Sequence, residues 1–144
     1  MIEFSERIPV DPEYAKSLGF AVYNYATLAW MIVYLGSLVD PDFVNQGSTL
    51  KFEEIARSFK SLSGTGKYPE LPSIAQRFTD LTARRADLER AIPITAYGGA
   101  QELDGTRDGK DDQWTIEGVK QFAADLQDLD MEANGLYYKL KPAH

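Results

Sequence analysis

The 144-residue chain has no cysteine, one histidine, two tryptophans and three methionines. Without cysteine there is no disulfide framework, no thiolate metal site and no cysteine nucleophile. The single histidine, His144, ends the chain, which removes most histidine-based metal sites and catalytic triads. Positive charge is also scarce. Fifteen Lys and Arg stand against 22 Asp and Glu, a net charge of −7, and this disfavours non-specific binding of nucleic acid by the whole surface. Repeats and low-complexity runs are missing too. What remains is an ordinary globular composition, 44% hydrophobic and 26% charged, at a length that suits one domain spanning residues 1–144.

The charge is segregated. Residues 1–47 carry −4, residues 48–92 carry +2 and residues 93–144 carry −5. A mildly basic middle lies between acidic flanks. Ordinary scatter over a soluble surface accounts for this, and a basic strip open to an acidic partner is the sharper reading.

Helical periodicity predicts an all-α fold, a bundle of four to five helices. After an extension of about ten residues, Asp11-Pro12-Glu13 starts the first helix with a capping acid, a proline and an acid at the dipole's positive end. Asp40-Pro41 stops it. Ser17 to Val39 holds no charge and is long enough to cross a bilayer. Asn24, Thr27, Ser17 and Ser37 interrupt it, and its flanks are acidic rather than basic. The expectation is therefore no membrane, and a buried helix at the centre of a cytoplasmic bundle. The acidic N-terminus, MIEFSERIPVD, does not suit a signal peptide. A second helix is expected from Ser48 or Thr49 to before Gly64. A third runs from Pro72-Ser73 to before Pro93. A fourth opens on the N-cap Thr115 with a stripe from Ile116 to Leu140, and Asn134-Gly135 marks a candidate break in it. Residues 93–114 read as a long irregular loop. A short hairpin, Ala100–Leu103 against Gln113–Thr115, is the alternative.

Three motif candidates stand beside simpler readings. Asp104, Asp108, Gly109 and Asp112 fall at positions 1, 5, 6 and 9 of a calcium loop, so the three aspartates are weak metal candidates. Thr115 replaces the bidentate glutamate, and a solvated turn is preferred. Ser63-Gly64-Thr65-Gly66-Lys67 is like the end of a phosphate loop. It lacks the preceding strand and the following Ser or Thr, and reads as a helix C-cap and turn. Asp125, Asp128 and Glu132, with Asp130 nearby, form an acidic helix face that reads as solvated.

The sharpest anomaly is in the third helix. Its stripe runs Leu71, Ile74, Phe78, Leu81, Arg85, Leu88, Ile92. An arginine on a core-facing stripe is costly unless paired or wet. Either Arg85 snorkels, or it reaches a cleft or an interface. Arg84 and Arg90 lie close by, and the three form a candidate binding set.

The order of these elements, with RADLERA in the third helix and WTIEGVKQFA opening the fourth, resembles small bacterial proteins of the HEPN type, the higher-eukaryote and prokaryote nucleotide-binding domain. The resemblance implies a helical bundle, a homodimer and, in many members, metal-independent ribonuclease activity from an Arg, a polar residue and a His a few residues on. Arg85 matches the arginine. Ala86 stands where the polar residue is usual, and Arg90 stands where His is expected. Arginine does not deprotonate and cannot serve as the base. The resemblance thus implies a non-catalytic binding protein, dimeric and without cofactor, with Arg84, Arg85 and Arg90 as its binding residues. Tyr14, Tyr68, Tyr97, Trp114, Tyr137 and Tyr138 are candidates for an aromatic partner surface. Two alternatives follow: an acidic inhibitor or antitoxin-like protein for a basic partner, and an atypical ribonuclease that uses Arg85 on RNA.

Overall fold

A computed structural model describes residues 10–143. His144 and the first nine residues, most of the expected extension, lie outside the described residues. Helix α1 runs Pro12–Ser37. The Asp11 carboxylate accepts from the Glu13 N–H at 2.9 Å and caps it. Asp40 then turns the chain through its carboxylate, which accepts from the Asp42 N–H, and a short helix α2, Phe43–Gly47, follows. This helix was not expected. Ser48 and Thr49 close it, donating to the carbonyls of Asn45 and Gln46. They end one helix rather than start the next, and α3 begins at Phe52 and runs to Ser63. The SGTGK segment is the expected C-cap and turn. The Gly64 N–H donates back to Lys60, and Gly66 takes φ +80°. Helix α4, the third of the expected helices, spans Leu71–Arg90.

The all-α expectation is corrected at residues 92–114. Among the described residues five helices are joined by a three-stranded antiparallel sheet, β1 Ile92–Thr95, β2 Gln101–Arg107 and β3 Lys110–Trp114, in the order β1-β2-β3. The expected hairpin exists and is longer than the sequence suggests. Leu103 pairs with Trp114 and the ladder continues to Arg107 and Lys110. Asp108 and Gly109 make the two-residue turn, both at positive φ (52° and 74°), as the Asp-Gly dipeptide favours between twisted strands. Helix α5, Ile116–Leu140, is capped by the Thr115 hydroxyl, which accepts from the Gly118 N–H at 3.1 Å. It continues through Asn134-Gly135 without a break.

The core lies between the helices. Helix α1 packs along α5, α3 along α4, and the α1–α3 and α4–α5 contacts complete the arrangement. Leu28, Ile32, Leu35, Phe59, Phe78, Leu126 and Leu129 fill it. Helix α2 sits close on α1: a Cβ at Gly36 would overlap the Phe43 ring, and one at Gly47 would meet Val33. The sheet is tied in by Tyr14. Its hydroxyl accepts from the Leu103 N–H at 2.9 Å and donates to the Trp114 carbonyl at 2.6 Å. One buried hydroxyl on α1 thereby joins β2 to β3. Burial pushes its pKa up, while the Leu103 hydrogen bond acts the other way.

Helix α1 differs from the expected central helix. One face is buried and the opposite face is open. Its length and composition suffice to cross a membrane.

Candidate functional site

The arginines of α4 divide between two sides of the helix, because adjacent residues are about 100° apart. Arg84 faces the sheet. Its guanidinium lies 3.9 Å from the centre of the buried Trp114 ring. It reaches Asp112 at 2.5 Å and Asp87 at 3.4 Å. Asp87 also holds the exposed Arg90 at 3.0 Å. Arg84 thus bolts β3 onto α4, and Asp87 joins Arg84 to Arg90.

Arg85 faces the other way. Its guanidinium lies 4.4 Å from the Phe52 ring centre and 4.9 Å from that of Tyr25. The head emerges to meet Glu89 at 2.7 Å. This is the snorkelling arrangement: an aromatic floor under a charge that keeps one side in water. Beneath it, Tyr25 hydrogen-bonds Thr82 at 2.8 Å and stacks on Phe78. Burial pushes the Tyr25 pKa up to about 12, against the opposing pull of the Thr82 hydrogen bond and the Arg85 charge. The three arginines therefore form no single pocket. Each is neutralised within the chain by a carboxylate of its own helix or of the hairpin.

The calcium-loop aspartates are also dispersed. Asp112 is engaged with Arg84. Asp104 lies on the other face of β2, because Asp112 is in register with Gly105 and neighbouring positions alternate. Desolvation, then the neighbouring Asp111, pushes the Asp104 carboxyl up. Asp108 sits in the turn. Among the described residues no group of three His, Asp or Glu side chains is placed to hold a metal.

On α5, Asp125, Asp128 and Glu132 are exposed, as the solvated reading expects. Asp125 accepts from Gln121 and Glu132 from Arg77. Asp80, Asp125 and Asp128 line one groove of about 270 Å³ between α4 and α5.

The aromatic surface is redistributed. Tyr14 and Trp114 are buried, correcting their candidacy as partner contacts. Tyr97 and Tyr138 are exposed, and Tyr68 and Tyr137 are half-buried. The larger aromatic surface is on α1, where Phe20, Tyr23, Trp30 and Tyr34 are 53%, 71%, 47% and 43% exposed. Tyr34 adjoins Tyr137, with ring centres 6.0 Å apart. Beside Trp30 a groove of about 230 Å³ opens between α1, α2 and α3. Sequence reasoning missed this face because α1 is apolar all round. With no charged stripe to mark the solvent side, periodicity gives no direction.

No family model matches the chain, and no curated protein or solved structure is similar to it.

Proposed function

We propose that the protein is a non-catalytic helical interaction protein of HEPN-like type. Its binding surface is the open face of α1, and its arginine-bearing helix, α4, is a structural strut. One contrast carries this reading: Arg84, Arg85 and Arg90 are satisfied inside the chain, while four large aromatic side chains on α1 are not. Large aromatic side chains left exposed along one helix mark a candidate interaction surface. Arg85 also has no imidazole beside it among the described residues, and the paired Glu89 is its only ion-pair partner there. This weighs against the ribonuclease alternative. Purified protein is expected to leave RNA intact, with or without divalent metal; cleavage lost in Arg85→Ala would reverse that.

The binding reading is tested in cells with a photo-reactive amino acid at position 30 and, as control, at the exposed position 57. Covalent protein adducts are expected from position 30 alone. Equal labelling from both, or from neither, removes the reading.

The acidic-inhibitor alternative draws on the groove lined by Asp80, Asp125 and Asp128. It requires a basic partner whose complex weakens steeply with salt. Adducts at position 30 that are insensitive to salt favour the α1 face instead.

A further inference from the structure

Helices α1 and α5 run parallel. Tyr14 meets Trp114 near their starts, Asn24 meets Ala123 further along, and Tyr34 meets Tyr137 towards their ends. Over the first half of this seam a groove of about 410 Å³ opens to solvent, a volume in the range of small-molecule sites. Phe20 lines it. Ten residues before Trp30, Phe20 stands about 80° round the helix from it, on the α5 side. The other three exposed aromatics of α1 lie outside the groove.

The groove is polar at both ends and apolar between. Where the two helices begin stand two ammonium groups, those of Lys16 and Lys120. Among the described residues Glu13 is the only acid in the lining, and it meets Lys120 at 3.6 Å, a looser contact than a close charge-assisted hydrogen bond. Among the described residues Lys16 meets no carboxylate, and its ammonium lies 5.9 Å from the centre of the Phe20 ring. These three groups leave a surplus of one positive charge, at the positive ends of two helix dipoles. About two turns on, roughly 12 Å at 1.5 Å per residue, are the amides of Asn24 and Gln127. Asn24 is held in place, because its amide N–H donates to the Ala123 carbonyl at 3.0 Å; its amide oxygen remains an acceptor. Phe20 and Ala123 lie between the ends. We infer that this groove binds a small aryl carboxylate with a hydroxyl at its far end. The carboxylate accepts from Lys16 and Lys120, the ring lies against Phe20 and Ala123, and the hydroxyl bonds the Asn24 and Gln127 amides. A surplus of one charge suits a monoanion. A cation would be repelled by Lys16, and a neutral hydrocarbon would strip water from an ammonium without replacing it. The inference stands apart from the interaction reading above, since it concerns a different surface and a different class of ligand.

The probe is 3-(4-hydroxyphenyl)propionate, titrated into the full chain and followed by proton–nitrogen NMR. Saturable shifts are expected in the side-chain amides of Asn24 and Gln127, with a dissociation constant on the order of 1 mM for so small a ligand. Lys16→Met keeps the stem beside Phe20 and removes the charge. It should weaken binding about tenfold, the worth of a charge-assisted hydrogen bond, while the same spectra report an intact fold. Lys51→Met, an exposed lysine outside the groove, should bind as wild type does. The uncharged amide of the probe should bind wild type about tenfold more weakly than the acid, and that difference should shrink in Lys16→Met. Removing the hydroxyl, in 3-phenylpropionate, should weaken binding about fivefold. The inference is overturned by no saturable shift at about ten times the expected dissociation constant, by equal affinity for the acid and its amide, or by full affinity in Lys16→Met. Shifts confined to the Trp30 indole overturn it too, placing the probe on the open face of α1. None of these results bears on the photo-adducts at position 30, so the two readings stand or fall separately.

Discussion

Two residues hold the sheet to the helices, and both can be tested singly. Tyr14→Phe keeps the ring and removes the hydroxyl that joins Leu103 to Trp114. A buried N–H and a carbonyl then lose a partner, at about 1–3 kcal/mol, measurable by chemical denaturation. Arg84→Ala removes the stack on Trp114 and leaves Asp112 without its cation, while Asp87 keeps Arg90. The site is partly exposed, so solvent screening reduces the cost of a fully buried pair, and about 1–3 kcal/mol is expected. Tyr25 adds a pH signature. Its folded pKa of about 12 lies above the ordinary value of 10, so at alkaline pH the unfolded chain gives up this proton first. The stability tied to it is complete below pH 10 and is lost as pH rises towards 12. Denaturation across that window should show a shallower loss for Tyr25→Phe than for wild type. An equal slope would mean that the phenol is not shielded.

The elements were legible in the sequence where a local signal was strong. Asp11-Pro12 and Thr115 cap the helices they were expected to cap, because a cap needs only its neighbours. The second helix was misplaced because Ser48 and Thr49 suit either end: their hydroxyls can cap a following helix or bond back to carbonyls, and here they bond back. The sheet was only half legible. Its strands are polar, Pro93 sits in β1, and little alternation marks them. The pairing is anchored by Leu103 against Trp114, Tyr14 and Arg84, a contact between distant residues. The Asp108-Gly109 turn was the available clue, and the calcium-loop spacing drew attention from it. Gly109→Val puts a β-branched residue at φ 74°. It should lower the melting temperature and broaden the hairpin resonances in an NMR spectrum, while α5 stays intact. Helix α2 gives a further test. Gly36→Ala would drive a methyl into the Phe43 ring, and overpacking of this kind costs about 1–3 kcal/mol by denaturant midpoint.

For the whole molecule, net charge proved a poor guide to the site. The basic middle third contains Arg84, Arg85 and Arg90, yet the fold returns acids to them: Asp87 and Glu89 from the same helix, and Asp112 from the hairpin. The open face of α1 is uncharged from Ser17 to Val39, so the affinity of a partner bound there is expected to change less than about threefold between low salt and a half-molar solution, in contrast to steered, charged interfaces. The yield of photo-adducts from position 30 at the two salt concentrations measures this, and a steep loss at high salt would assign the contact to the acidic groove instead.

The sequence by itself determined that there are four principal helices, the caps at Asp11 and Thr115, the stop at Asp40-Pro41, the turn at Gly66, and the absence of thiol and nearly all imidazole chemistry. These follow from composition and from interactions among near neighbours. The tertiary structure decided the direction of each side chain that mattered. Arg85 lies on an aromatic floor because α1 and α3 bring Tyr25 and Phe52 beneath it. Trp114 is buried because α4 extends Arg84 over it. One side of α1 is open because α2, α3 and α5 all pack on the other. A helix that is apolar on every side carries no mark of which face the fold will cover, and only its neighbours in space supply one.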